Sequence, residues 1–250
     1  METKTDDYTL HDEQASYGLH QVVLDILLKE KPGRVLDLGC GTGFFAKKLR
    51  DWWGTEVHVA EYRRELVRYE GLQVSEVDLN QLQPLPYEDN SFDYVLMLEV
   101  IEHIKHPWFI VEELARILKP GGKVLITTPN VHHLASKTKV VIEGEFYGFN
   151  EVRQSSPLSH LISFTVRQLK LMLNESGMSV ERVTFSHPIW GRRVLFSEGR
   201  GEQSLLFRLA KYSIRNCQYL LCCVGSLILA RSLNPNNVHF GASTIVIGVK

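Results

Sequence analysis

At 250 residues and a net charge of −1, the chain has the length of one large α/β domain and lacks the basic field that extended nucleic acid attracts. Hydrophobic residues make up 44%, enough for a sizeable core, and no apolar run reaches the ~20 residues that span a bilayer. The cysteines Cys40, Cys217, Cys222 and Cys223 have neither disulfide-framework nor zinc spacing, and residues 1–10 are too polar and acidic for a secretory leader, so a cytoplasmic protein is expected.

Residues 11–30 carry Leu19, Val22, Val23, Ile26 and Leu27 on one helical face, and Lys31-Pro32-Gly33 stops the run. Residues 1–32 thus form an N-terminal cap, in which Tyr8 and Tyr17 either fold over a ligand or pack on the first strand. Val35-Leu36-Asp37-Leu38 is predicted to be a strand. Gly39, Gly41 and Gly43 follow at alternate positions, and a helix is expected over 44–53. Strand, glycine turn and helix bring backbone N–H groups and a helix N-terminus against a ligand. The G-x-G-x-G spacing differs from the G-x-G-x-x-G of dinucleotide sites, and taken alone it requires only a turn with φ > 0.

A second strand over 56–60 leads to Glu61, whose two carboxylate oxygens can accept from both hydroxyls of a ribose. The third strand, 72–77, closes on Asp78-Leu79. A proline-rich loop over 82–90 precedes a fourth strand over 92–98. A helix over 108–118, the turn Lys119-Pro120-Gly121-Gly122 and a fifth strand over 123–128 complete a core of residues 33–130. This alternation predicts a doubly wound, mostly parallel sheet. Residues 131–157 show little periodicity; with the approach to the next helix, 131–165 is expected to cover the substrate and to hold His132 and His133. A helix over 164–177, with Val166, Leu169 and Leu173 inward, and strands over 180–185 and 242–249 bring the sheet to seven, the last inserted antiparallel. Before that last strand lies an insertion, 187–241. Within it Arg208, Lys211 and Arg215 lead into the uncharged run 216–230. A helix over 205–232 would either lie in a membrane interface or pack against the domain or a partner.

The Asp37 to Gly43 pattern resembles motif I of the class I S-adenosylmethionine-dependent methyltransferases, and "LPYEDNSFDYVLMLEVIEHI" resembles the corresponding stretch of the ubiquinone-biosynthesis O-methyltransferases and the methyltransferase type 11 and 23 group. The resemblance covers about residues 30 to 185. It implies a Rossmann-like methyltransferase fold spanning 1–250 as a single domain. It also implies S-adenosyl-L-methionine as cofactor, with Asp37 taking the ammonium and Gly39, Gly41 and Gly43 admitting the methionine portion. Glu61 would bind the ribose, and Asp78, Leu79 and Leu98 would surround the adenosine.

Glu99-Val100-Ile101-Glu102-His103 places two carboxylates and an imidazole at i, i+3, i+4, on one face if the segment is helical, at the carboxyl edge of a central strand. The E-x-x-E-H pattern looks like the metal site of the ubiquinone O-methyltransferases. It is also similar to that of the small-RNA 3′-terminal 2′-O-methyltransferases, where a later histidine joins it; His160-Leu161-Ile162-Ser163-Phe164 matches that segment. The resemblance therefore implies Mg2+ or another divalent cation on Glu99, Glu102, His103 and His160, with Glu102, His103 and His160 catalytic. Two other roles stay open: His103 or His160 as a metal-free general base, and Glu102 with His103 as a loop-orienting pair. The expected reaction is methyl transfer to a hydroxyl of a small or lipid-linked acceptor, a quinone precursor or a sugar. The alternatives are methylation of an RNA terminus, held by Lys137, Lys139 and Arg153, and a non-catalytic cofactor-binding scaffold.

Overall fold

The computed structural model describes residues 18–146, 149, 159–186 and 243–250. Tyr8, Tyr17 and the insertion 187–241, with the proposed helix 205–232, lie outside the described residues. Twelve regular elements are described, in the order α1 (Leu19–Leu27), β1 (Val35–Leu38), α2 (Phe44–Trp53), β2 (Val57–Glu61), β3 (Gln73–Glu76), β4 (Phe92–Leu98), α3 (Pro107–Ile117), β5 (Leu118–Pro129), α4 (Leu134–Glu143), α5 (Val166–Glu175), β6 (Ser179–Phe185) and β7 (Ser243–Val249). No helix among the described residues is long and apolar enough to cross a membrane.

The strands make one seven-stranded sheet in the order β3-β2-β1-β4-β5-β7-β6. Pairing is parallel from β3 to β5, and β7 runs antiparallel between β5 and β6. The sheet grows from β1 toward β3, then resumes on the other side of β1 with β4. That reversal opens a crevice above the carboxyl ends of β1 and β4, where doubly wound sheets bind ligands.

Side chains alternate across the sheet with period two. Leu36 and Leu38 of β1, with Val95 and Met97 of β4, pack against Ile110, Val111 and Leu114 of α3 and Leu169, Met172 and Leu173 of α5. Val35, Val57, Val59 and Leu96 face the other way, against Leu19, Val23 and Leu27 of α1 and Phe45, Leu49 and Trp53 of α2. Each such fully buried side chain contributes about 1.5–3 kcal/mol. The same parity carries Asp37 and Glu61 onto the α1/α2 side, with Val35, Val57 and Val59.

Four local expectations need correction. The first helix is described only from Leu19, behind Gly18 in the left-handed region (φ 75), and ends at Leu27. Lys119-Pro120-Gly121-Gly122 does not separate helix from strand: it is a bulged start of β5, where the register with β4 shifts between Phe92 and Tyr94. The stretch after β5 contains α4, hidden because Val140, Val141 and Ile142 are consecutive, which blurs a 3.6-residue period; Val141 and Ile142 are exposed. Helix α5 starts one residue after Thr165, whose hydroxyl accepts from the Gln168 N–H while the Gln168 side chain accepts from the Thr165 N–H. Such a capping box contributes about 0.5–2 kcal/mol.

Candidate active site

A cavity of about 670 Å3 opens at the carboxyl edge of the sheet, within the roughly 300–1,000 Å3 typical of small-molecule pockets. Its wall begins with the turn after β1. The Gly39 and Cys40 N–H groups both donate to the Ala60 carbonyl (2.8 and 3.2 Å), folding the chain back over β2. Gly39 has φ 76, and a Cβ there would stand 2.6 Å from Val100 Cγ2, so no other residue fits without a shift. Gly43 serves a different purpose: it caps α2 at φ 80, a Cβ on it would meet Leu72 Cδ1 at 2.9 Å, and it lies outside the cavity lining. Helix α2 therefore begins at Phe44, where its sequence pattern places it.

Asp37 and Glu61 both line the cavity, at 2% and 7% exposure. Glu61 is held by backbone donors: Gly41 N–H to Oε2 and Tyr62 N–H to Oε1, each 2.8 Å. Two of roughly four acceptor positions on a carboxylate are thereby used. Burial raises the Asp37 pKa to about 7, and the Glu61 charge reinforces the shift. Burial likewise pushes the Cys40 thiol well up. At the outer end, Asp78 is exposed; its Oδ1 accepts from the Asn80 N–H (2.9 Å) and its Oδ2 from Gln81 Nε2 (3.3 Å). Leu79 and Leu98 complete this part of the wall.

The stretch after β4 does not turn as one helix. Glu99 has a positive φ (57), and only Ile101–His103 makes a 3-10 turn, so Glu99 is separated from Glu102 and His103. Glu99 faces the cavity, where its Oε1 accepts from the Thr127 hydroxyl (3.0 Å). Glu102, His103 and His160 form their own cluster: one ligand atom from each lies within 4.8 Å of the others. Glu99 is not in it. Glu102 is fully buried, with the Thr128 hydroxyl beside its carboxylate. Burial, then the charge of Glu99, pushes its pKa well above the carboxylate range.

His103 Nδ1 lies 2.8 Å from the Ser159 carbonyl. A carbonyl only accepts, so Nδ1 carries the hydrogen and Nε2 keeps the lone pair. Burial lowers the His103 pKa, favouring the neutral ring. The Leu161 and Ile162 N–H groups donate to the Glu102 carbonyl (2.7 and 3.1 Å), which ties the His160 segment to this rim, and the two imidazoles meet edge to face at 4.8 Å. Of the three, His103 alone lines the cavity. His133 is buried rather than available as a covering residue.

Several lining residues were not singled out by sequence: His20, Tyr62, Arg63, Asn80 and Lys105. His20 stacks on Phe45 (4.7 Å between ring centroids), and burial, helped by the Lys48 charge, lowers its pKa to about 4. Its apolar helical neighbours disguise it as a core histidine. Tyr62 and Arg63 directly follow Glu61, a position that adjacency to a ligand-binding acid could have flagged.

The sequence of residues 11–183 matches a family described as "Methyltransferase domain". The chain belongs to that family. It is 30% identical over 185 residues to a ubiquinone biosynthesis O-methyltransferase of Xylella fastidiosa, covering 67% of this chain and 71% of that one. It is 37% identical over 115 residues to a glycine/sarcosine/dimethylglycine N-methyltransferase of Actinopolyspora halophila, covering 43% of this chain and 20% of that one. Some other curated relatives are matched over about half their length, such as 52% for a second ubiquinone biosynthesis O-methyltransferase, from Xanthomonas oryzae. Among solved structures, a SAM dependent methyltransferase from Archaeoglobus fulgidus superposes with a TM-score of 0.56 at 19% identity, over 92% of this chain and 94% of that one, a likeness of fold. The family's relatives thus include both O- and N-methyltransferases.

Proposed function

We propose that the chain is an S-adenosylmethionine-dependent methyltransferase acting on a hydroxyl of a small or lipid-linked acceptor, with a quinone precursor or a sugar as the leading candidates. The observation that carries the cofactor reading is the pair of buried carboxylates, Asp37 and Glu61, lining one cavity at the switch point of the sheet. Along the rim the donors and acceptors follow the order of such a nucleoside: Asp78 and Leu79 for the base, Glu61 for the sugar, Asp37 and the Gly39–Gly41 turn for the amino-acid end. Bound there, the cofactor supplies an electrophilic methyl on a sulfonium.

His103 is the residue that supports an oxygen acceptor. Its fixed tautomer turns a neutral Nε2 lone pair toward bond-making, so it can hold the proton that leaves a hydroxyl as the oxygen gains its methyl. The Glu102–His103–His160 cluster also fits a divalent cation: one oxygen and two nitrogen donors, a fully buried carboxylate, and an imidazole held by a backbone carbonyl. Such an ion would lower the pKa of a hydroxyl near it. The RNA-terminus alternative loses support because Lys139 is buried and paired with Glu145 (3.0 Å) and Glu143 (3.5 Å).

Titration with S-adenosylhomocysteine tests the cofactor reading. Glu61→Ala should weaken binding by about 1.5–3 kcal/mol, the range for hydrogen bonds to a charged group; an unchanged dissociation constant would refute the ribose assignment, and no binding by the parent protein would refute the cofactor reading itself. For the cation, activity on an identified acceptor should vanish in chelator and in both Glu102→Ala and His160→Ala. Full activity in chelator would leave His103 as a metal-free base.

A further inference from the structure

Four carboxylates line the cavity: Asp78 after β3, assigned above to the base, Glu61 at the end of β2, Asp37 in β1 and Glu99 just after β4. In the cofactor reading above, on which this inference rests, Glu61 answers the sugar and Asp37 the ammonium. Glu99 has no such role, and the separation from Glu102, His103 and His160 removes it from the cation cluster.

Its backbone is nonetheless held in an unusual state. A φ of 57 is uncommon for a residue with a long side chain, and costs roughly 1–2 kcal/mol that glycine would avoid. Thr127, fully buried, fixes the residue twice: the Glu99 N–H donates to its hydroxyl (2.9 Å), and that hydroxyl lies 3.0 Å from Glu99 Oε1. The Glu99 N–H also faces the Thr127 carbonyl at 3.2 Å. The turn therefore keeps a carboxylate at the cavity wall, at the end of the strand that pairs with β1.

We propose that Glu99 reads the charge on the cofactor's sulfur. A sulfonium offers no N–H or O–H to a binding site, so it is recognised through its field and its polarised C–H groups. Methyl transfer leaves the sulfur as a neutral thioether, with the electron pair of the broken S–C bond. A carboxylate facing that atom favours the methyl-bearing form and stops favouring the spent one, which promotes exchange after each turnover.

The test is the ratio of the dissociation constants for S-adenosylhomocysteine and S-adenosylmethionine, measured by calorimetry on the parent and on Glu99→Gln. The amide oxygen of glutamine can still accept from Thr127, so the substitution removes charge while keeping the tether. S-adenosylmethionine should bind about tenfold more weakly and S-adenosylhomocysteine within about twofold of the parent. Equal weakening of both, or an unchanged ratio, would overturn the proposal while leaving the cofactor reading intact. A parent that binds neither would remove both. Glu99→Gly provides a second route if the glutamine variant folds poorly: it relaxes the backbone, so its melting temperature should hold or rise while the ratio collapses. A lowered melting temperature with the ratio preserved would assign Glu99 a structural role and sink the inference.

Discussion

Asp37 carries a conflict that its strand position makes unavoidable. The period-two pattern of β1 puts it on the same face as Val35, against the apolar side of α2, where burial and the Glu61 charge lift its pKa to about 7 from an ordinary 3.8. Between those values the native state holds a proton that the unfolded chain has lost. Stability therefore falls as pH rises from about 4 to about 7, then levels off, a loss on the order of a few kcal/mol. Asp37→Asn removes that penalty, so the cofactor-free variant should melt above the parent at pH 8, and the gap should close toward pH 4. A gap independent of pH would show that Asp37 is not the titrating group. The same variant should bind S-adenosylmethionine more weakly, because the cofactor's ammonium loses its counter-charge. Acid at position 37 is thus placed for binding against the interest of the empty fold. This acid was legible in the sequence because a charged residue inside an aliphatic strand is conspicuous; the ammonium role came only from the family resemblance. The sequence could not show the field of Glu61, which reaches Asp37 only once β1 and β2 pair.

At the scale of elements, the two ends of the cavity are joined by one side chain. Asn80, on the loop after β3, accepts from the Lys105 N–H (2.8 Å) and lies 3.4 Å from the His103 carbonyl. The loop that carries Asp78 is thereby linked to the turn that presents His103. Asn80→Ala should lower kcat several-fold with a smaller change in cofactor KM, as expected for a residue that positions the base without touching the nucleoside. A loss confined to KM would place Asn80 with the cofactor instead. Such a contact is invisible in sequence because its partners are 23 and 25 positions away. The E-x-x-E-H run shows the complementary limit. Its spacing suggested three side chains on one face, which holds only for a continuous helix; the positive φ of Glu99 breaks that premise, whereas the predicted His160 does join Glu102 and His103, its segment tied in through the Ser159 and Glu102 carbonyls. The glycines were legible as a turn but not as separate duties, since the packing of Gly43 on Leu72 and Val67 depends on chain that folds over it later.

For the whole molecule, short aliphatic runs alternating with helical stretches were enough to read the strands, and the glycine turn after β1 with Glu61 at the end of β2 located the binding edge. The weak helix α4 and the bulged start of β5 escaped because neither leaves a clean period. What that architecture does to ligand energetics is testable. The cavity is lined by the loops after β1, β2, β3 and β4, whereas β6 and β7 lie at the far edge, tied to the rest through β5. A ligand at one hundred times its dissociation constant stabilises the native state by about 2.7 kcal/mol. Loops open locally at a smaller free energy than the core. Saturating S-adenosylhomocysteine should therefore slow amide exchange first and most strongly at residues 39–42, 61–66, 77–80 and 98–105. Amides of the β6–β7 pair that exchange by local opening should keep their rates, and those that exchange only on global unfolding should slow by the full linkage term. Uniform slowing across the sheet edge and the four loops would mean that the rim is no more mobile than the core before it binds. Slowing centred on β6 and β7 would move the ligand away from the switch point altogether.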